Sequence, residues 1–376
     1  MLFKNRLLPL CAILSCALSA SAVITGCTTD LTSTSDDYIV LKTQGSFAIG
    51  GSTVAHDGTF SNDKFLEPDG QAAYGDHAYV FYQIPAKANK YPLIFQHGGA
   101  QSKRTWETTL DGRDGFENIF LKKNYSVYLV DQPRIGEAGL STKAAGPANP
   151  YASNPLYADK TLYTLCRIGD FPNQFANSQF PRTKEALDQF QRCWTPYTGE
   201  LDDDVSSDAL ALLFDKVGPA ILVSHSMGGS VGWLTATKTD NVKAIVAFEP
   251  GGSPFIFPEN EVPEVSPTAY APIAAQAKAV PLEDFLKLTK IPIVLYYGDN
   301  IASAPTKEHI GMDKWRSEFD MAKKFAAAIN RHGGNASVIH LPDLGIKGNT
   351  HFLMSDLNNV EIADLMENFL KEHNLN

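Results

Sequence analysis

A serine stands on what the sequence predicts to be a sharp turn between a buried strand and a helix. An apolar run at residues 220–223 precedes Ser226, and a segment typical of a helix opens at residue 230. A serine on such a turn projects its oxygen out of the sheet, close to backbone N–H groups that can bind an oxyanion. The turn needs small residues two positions before and after the serine, where the chain has Ser224 and Gly228. Ser224 replaces the first glycine of the usual Gly-x-Ser-x-Gly pattern. The spacing predicts that Ser226 is a nucleophile.

A serine nucleophile needs a base, and the chain offers nine histidines. In a sheet with such a turn the catalytic residues follow the chain order serine, acid, histidine. His351 lies at residues 348–352, in a predicted loop between the last strand and the last helix. A loop in that place can bring an imidazole to the serine. His225 neighbours Ser226, but its side chain should point away from the serine oxygen. We therefore predict that His351 is the base.

Two carboxylates follow strands at the same predicted edge of the sheet and compete to orient the histidine. Glu249 ends the strand at residues 242–248, and Asp299 comes shortly after the strand at residues 291–297. Asp299 directly follows Gly298, so its short side chain is expected to be absorbed in the turn, whereas the longer side chain of Glu249 can reach His351. We predict Glu249 as the acid and keep Asp299 as the alternative.

An oxyanion requires two backbone N–H donors. Met227 follows the serine at the start of the helix and supplies one of them. The second should come from Gly99 or Ala100, because the loop His97-Gly98-Gly99-Ala100 directly follows a short apolar strand at residues 92–96. The predicted oxyanion hole thus comprises Met227 with Gly99 or Ala100.

The elements around these residues alternate between strands and helices. Such alternation predicts an α/β fold with a mostly parallel sheet covered by helices on both faces. The catalytic candidates lie at the carboxyl ends of the strands, where ligands bind in such sheets. The expected strands are 45–51 and 78–85, as an opening antiparallel pair, and then 92–96, 126–131, 220–223, 242–248, 291–297 and 336–341. The expected helices include 116–123, 313–331 and 360–371.

Two segments interrupt the alternation. Residues 134–202 are rich in Tyr, Phe and Pro and are too long for a structureless loop, so we predict a cap inserted between core segments 45–133 and 203–376. Residues 250–281 contain many prolines and are expected to form a rigid, irregular excursion over the mouth of the site.

The N-terminus is predicted to direct export. Lys4 and Arg6 precede a short apolar run, which is typical of a signal peptide at residues 1–26. The run ends in Ile24-Thr25-Gly26-Cys27, which resembles the bacterial lipobox, so Cys27 is the expected lipid-bearing residue of the mature chain. Residues 27–44 would form a tether. A soluble periplasmic or secreted protein, cleaved after residues 20–22, is the alternative, and Thr28 favours the outer membrane over the inner one.

Charge and cysteine content limit the partners and the compartment. The formal net charge is −10, and loss of Lys4 and Arg6 with the signal peptide would make it −12. A chain this acidic, without a basic run, gives no indication of nucleic-acid binding. Once the signal peptide and Cys27 are set aside, Cys166 and Cys193 remain, and in an exported protein we expect them to form a disulfide within the cap. Two buried free thiols are the alternative.

The whole set of motifs resembles the α/β-hydrolase family, and in particular its bacterial esterase branch with the acid after the sixth strand. The resemblance extends from about residue 45 to the C-terminus and is carried by five segments: 96–107, 130–133, 225–229, 248–255 and 345–354. It implies hydrolysis of a small carboxylic ester without a metal or an organic cofactor. The cap is the part least like the family, and we expect it to select the substrate. The sequence does not indicate an oligomeric state.

Two other functions fit parts of the pattern. Another acyl or C–C bond hydrolysis could use the same three catalytic residues. A surface binding protein whose hydrolase fold has lost its activity would lack one or more catalytic residues, whereas this chain has a candidate for each of them. Haloalkane dehalogenases and epoxide hydrolases need an Asp nucleophile, which Ser226 replaces.

Overall fold

An eight-stranded mixed sheet forms the centre of the computed structural model, which describes residues 38–143, 158–269 and 273–376. The predicted signal peptide, the Cys27 lipidation site and the first part of the tether lie outside the described residues. The strands, in chain order, are β1 (Leu41–Ala55), β2 (Ala72–Pro85), β3 (Leu93–Gln96), β4 (Val127–Asp131), β5 (Gly169–Asp170), β6 (Asn173–Gln174), β7 (Ala220–His225), β8 (Val242–Phe248), β9 (Phe255–Pro258), β10 (Ala277–Val280), β11 (Pro292–Tyr297) and β12 (Asn335–His340).

The strand order of the main sheet is β1-β2-β4-β3-β7-β8-β11-β12. The predicted opening pair is antiparallel, with Gly45 opposite Tyr82, and β2 is also antiparallel to β4. All the other neighbours are parallel. The carboxyl ends of β3, β7, β8 and β11 therefore meet at one edge, which brings the predicted site residues together. These features confirm the predicted α/β fold.

Helices cover both faces of the sheet, because alternate strand side chains are apolar in both directions. The helices are α1 (Arg104–Glu107), α2 (Phe116–Lys122), α3 (Asp159–Leu165), α4 (Lys184–Arg192), α5 (Asp203–Val217), α6 (Gly228–Lys238), α7 (Leu282–Leu288), α8 (Ile310–Arg331) and α9 (Asn359–Glu372). Leu222 of β7 joins a core cluster with α5, α6 and α8, whereas its neighbours Ile221 and Val223 join a second cluster with α2 and α9. Within the described ranges, none of the helices combines the length and apolar character needed to cross a membrane.

The predicted cap, residues 134–202, contains α3, the short hairpin β5-β6 and α4 among its described residues. Aromatic rings join it to the core: the ring centroids of Phe190 and Trp194 both lie 5.9 Å from that of Phe352. The cap therefore packs directly against the loop that contains His351.

The prediction of an irregular excursion at residues 250–281 is wrong for two short parts of that segment, which form strands. Strands β9 and β10 form a separate parallel pair. Phe255 and Phe257 of β9 are buried, and both rings pack against Phe325 of α8. A short run of consecutive apolar residues within a proline-rich stretch thus forms part of the core, whereas Gly251 and Gly252 at the start of the segment line the cavity at Ser226.

Candidate active site

Ser226 occupies the turn between β7 and α6 in a left-handed backbone conformation, with φ +52°. That conformation costs a residue other than glycine about 1–3 kcal/mol, and such strain is concentrated at functional sites. Close packing explains the small neighbours. A Cβ atom on Gly228 would lie 2.5 Å from the His97 carbonyl oxygen, and one on Gly98 would lie 2.8 Å from the Ser226 Cβ. The turn and the glycine loop after β3 are therefore in direct contact.

The predicted oxyanion donors lie on those two segments. A Cβ atom on Gly99 would approach the Met227 Sδ to 2.3 Å, and both residues line the same cavity as Ser226. The Ala100 backbone N–H instead donates to the hydroxyl of Tyr197, at 3.0 Å. This hydrogen bond favours Gly99 over Ala100 as the second donor.

His351 is held through its backbone and its ring. Its N–H donates to the Cys166 carbonyl at 3.0 Å, and its carbonyl accepts from His225 Nε2 at 2.8 Å. Its Nδ1 lies 3.4 Å from Glu249 Oε2, and its ring centroid lies 4.2 Å from that of Trp315. Burial lowers the pKa of His351 to about 4, although the Glu249 carboxylate acts to raise it. The imidazole is therefore neutral at physiological pH and able to accept a proton.

Glu249 is fully buried at the carboxyl end of β8, the sixth strand of the main sheet in chain order. Its backbone is also left-handed, with φ +49°. One carboxylate oxygen faces His351, and the other accepts hydrogen bonds from Arg167 Nη2, at 2.6 Å, and from the Gly298 N–H. Burial raises the pKa of Glu249, but the Arg167 charge and the His351 hydrogen bond outweigh it and bring the pKa to about 2. Glu249 is therefore ionised over the whole physiological range.

The carboxylate of Asp299, the alternative acid, is used elsewhere. It accepts hydrogen bonds from the Gly348 N–H at 2.8 Å and from Asn177 Nδ2 at 2.9 Å. These bonds connect the histidine loop to the cap. The structure thus brings Glu249 to the imidazole of His351 and directs Asp299 to the backbone of the same loop.

An apolar cavity of about 210 Å³ opens at Ser226 and His351. Lys314 and Trp315 of α8 line it together with four residues of the cap: Leu162, Leu165, Cys166 and Trp194. The cap therefore contributes directly to the surface that a substrate would contact.

The predicted Cys166–Cys193 disulfide is contradicted, because both residues are free thiols. Cys166 lines the cavity at Ser226, whereas Cys193 lines a second cavity and directs its Sγ toward the Phe190 carbonyl, 3.1 Å away. Burial raises the pKa of both thiols, that of Cys193 to about 12. The number and spacing of cysteines did not reveal that the Cys193 thiol is directed to a backbone carbonyl and not to Cys166.

Two charged residues of this region were not predicted from the sequence. Arg167 stands in an apolar stretch of the cap, and a charge in such a stretch was the one signal available. Asp356, four residues from the end of the histidine loop, accepts from the Thr350 N–H at 2.7 Å and from the Thr350 hydroxyl at 2.8 Å. In the part of the chain that the structure describes, no group of three or more His, Cys, Asp or Glu side chains could hold a metal ion.

Comparison with known proteins agrees with this fold. A model of the alpha/beta hydrolase family matches residues 93–365. The chain therefore belongs to the alpha/beta hydrolase family, as its sequence motifs predicted. Probable secreted lipase phiG of Fungal sp. (strain ATCC 74256) is 26% identical over 329 residues, which cover 78% of this chain and 85% of that protein. A bacterial esterase of known atomic-resolution structure is 29% identical and superposes with a TM-score of 0.70, covering 89% of this chain and 97% of that one.

Proposed function

We propose that this protein is a serine carboxylesterase that forms an acyl-enzyme on Ser226, with His351 as the base and Glu249 as the orienting acid. The observation that carries the proposal is the Glu249–His351 contact beside the strained turn of Ser226, at a common cavity. The similarity to an esterase and to a probable secreted lipase supports the same class of reaction.

In the first half of the reaction, His351 Nε2 takes the hydroxyl proton as Ser226 Oγ attacks the ester carbonyl carbon. The carbonyl oxygen becomes an oxyanion, to which the N–H groups of Met227 and Gly99 donate. The intermediate then collapses, the C–O bond to the alcohol breaks, and the leaving alcohol takes the proton from His351. Ionised Glu249 stabilises the transient imidazolium and fixes its ring.

In the second half, water attacks the acyl-enzyme while His351 again accepts a proton. The new oxyanion uses the same two donors. Collapse returns the proton to Ser226 and releases the carboxylic acid. Because the cavity is smaller than the roughly 300–1,000 Å³ typical of sites for drug-sized ligands, we propose esters with a short apolar acyl group.

The direct experiment is a turnover screen with p-nitrophenyl esters from acetate to laurate. Ser226→Ala serves as the blank. Ser224→Ala is the matched control, because Ser224 is also a buried serine, lies two residues earlier at the end of β7 and is not among the residues that line the cavity. Turnover that disappears in Ser226→Ala, persists in Ser224→Ala and falls with acyl length supports the proposal. Wild-type turnover in Ser226→Ala would refute it. If none of the esters is hydrolysed although Ser226 is reactive, the result would indicate another acyl or C–C hydrolysis.

We also propose export, with an anchor at Cys27. The lipobox-like residues 24–27 support the anchor, and the similarity to a probable secreted lipase supports export alone. Fractionation of bacteria expressing wild type and Cys27→Ser tests this proposal. Membrane association that the substitution abolishes is expected, and a wild-type protein found only in the soluble periplasm would contradict the anchor.

A further inference from the structure

Three consecutive residues at the end of α3, within the cap, contact three separate parts of the candidate active site. The Leu165 carbonyl accepts from the Trp315 indole N–H at 2.7 Å. The Cys166 carbonyl accepts from the His351 N–H at 3.0 Å. The Arg167 side chain reaches Glu249. The cap therefore touches the machinery that holds the base, in addition to lining the cavity.

Arg167 makes the most specific of these contacts. Its Nη2 donates to Glu249 Oε1 at 2.6 Å, and its Nε donates to the Asp299 carbonyl at 2.8 Å. The planar guanidinium presents these donors in a fixed fork, so the two bonds together set the direction of the Glu249 carboxylate. With Oε1 occupied, Oε2 is the oxygen that faces His351 Nδ1.

The burial of Arg167 is not explained by stability alone. Both side chains of the Arg167–Glu249 pair are completely buried. Desolvation often cancels the attraction within such a pair, and well-packed apolar residues of similar volume would frequently be as stable. Moreover, Arg167 Nη1 has no hydrogen-bond partner among the described residues, and the Arg167 backbone is left-handed, with φ +55°. Ser226 and Glu249 share that uncommon backbone conformation.

We propose that Arg167 is a positioning residue for the catalytic acid, so that the cap forms part of the catalytic apparatus. The inference rests on the proposed Ser226–His351–Glu249 mechanism. Arg167 keeps Glu249 ionised and turned toward the imidazole, while the neighbouring Cys166 carbonyl fixes the backbone of the same histidine. Without Arg167, one oxygen of a buried carboxylate would lose its charged partner and the carboxylate could rotate away from His351.

Charge provides a readout that distinguishes positioning from packing. The charged or titratable groups facing His351 are Glu249 at the end of β8, Arg167 in the cap, Lys314 on α8 and His225 at the end of β7. The Arg167 charge lowers the pKa of His351 and of Glu249. Removal of that charge must raise the pKa of His351, so the acid limb of kcat/KM moves to higher pH. A substitution that altered the packing at Arg167 but kept the charge would leave the pH of the acid limb of kcat/KM unchanged.

The test compares Arg167→Met, Arg167→Gln and Arg167→Lys by kcat, KM and the pH profile of kcat/KM on a p-nitrophenyl ester. We expect Met and Gln to lower kcat roughly 10–100-fold, the scale of a misplaced catalytic group, with little change in KM and an acid limb at higher pH. Lys keeps the charge and should retain the wild-type limb and recover part of kcat. Arg182→Met is the control, because Arg182 is an exposed arginine of the cap that donates to the carbonyls of Phe175 and Ala176, so this variant should show wild-type behaviour.

Wild-type kcat in Arg167→Met, or loss of kcat with an unmoved acid limb and no rescue by Lys, would overturn the proposal. If Arg167→Met does not fold, the Arg167→Gln and Arg167→Lys variants provide the test, because Gln lacks the charge and Lys keeps it. Identical pH profiles for these two variants would overturn the proposal. Failure of the underlying mechanism is seen separately, as turnover that survives Ser226→Ala in a protein with wild-type Arg167.

Discussion

The proposed nucleophile and the proposed acid are held in place by different means. Ser226 sits on a turn made by residues next to it in the chain and by the glycine loop of the adjoining strand β3. The Glu249 carboxylate is held by the Gly298 N–H of the core and by Arg167, which is 82 positions away in the cap, and the His351 N–H donates to the Cys166 carbonyl. The geometry at Ser226 is therefore local to the sheet edge, whereas the geometry at Glu249 and His351 also depends on the cap packed on the core. Substitutions in the cap should impair the second without disturbing the first.

The largest expected effect is the loss of the base. His351→Ala should lower turnover about 10⁴–10⁶-fold, because the serine proton then has no acceptor. His340→Ala is the control, since His340 contacts Phe319 and Asp343 away from the cavity and should retain wild-type turnover. Turnover of His351→Ala within tenfold of wild type would mean that another group is the base.

The next effect separates the two carboxylates. Glu249→Gln should lower turnover about 10³–10⁴-fold, because the imidazole is then wrongly held. Asp299→Asn keeps one acceptor oxygen for the Gly348 N–H and should cost no more than about tenfold. Steady-state kinetics on both variants, with folding checked by circular dichroism, gives the comparison. The reverse order would assign the acid role to Asp299.

The residues placed by local structure could be predicted from the sequence, and the cap residue that contacts Glu249 could not. The serine turn, the glycine loop and the histidine loop have local patterns, so Ser226, Met227 and His351 could be proposed from the sequence, with the second oxyanion donor left open between Gly99 and Ala100. The choice of Glu249 rested on its place after a strand. Arg167 could not be identified, because its role depends on the path of the cap and on a left-handed backbone that no local pattern encodes. The disulfide prediction failed for a related reason: spacing between cysteines does not give the directions of their side chains.

A smaller effect is expected at the histidine loop itself. Asp356→Ala leaves the buried N–H and hydroxyl of Thr350 without an acceptor, which should reduce the free energy of unfolding by about 1–3 kcal/mol. Turnover should fall by about tenfold, because the loop that contains His351 loosens. Urea denaturation and steady-state kinetics measure the two changes. Asp343→Ala is the control, since Asp343 is largely exposed upstream of the same loop. Equal stability of the two variants would contradict the role of Asp356.

The smallest expected effect is the change of kcat/KM with pH across the neutral range. His351 accepts a proton only when neutral, and burial lowers its pKa to about 4. As pH falls, kcat/KM should therefore stay nearly constant from pH 7 to about pH 5 and reach half its value near pH 4. Tryptophan fluorescence over the same range separates this titration from acid unfolding. A half-point near 6.5, the ordinary value for histidine, in a folded protein would show that the imidazole is more solvated than the structure indicates.

The most direct test of the central claim is the mapping of a fluorophosphonate adduct by peptide mass spectrometry. Wild type and Ser224→Ala should both carry the adduct on Ser226 alone, and Ser226→Ala should carry none. Glu249→Gln should label Ser226 more slowly, because the turn that presents the serine remains while the base loses its orientation. An adduct on any other residue, or full ester hydrolysis without an adduct, would contradict the account.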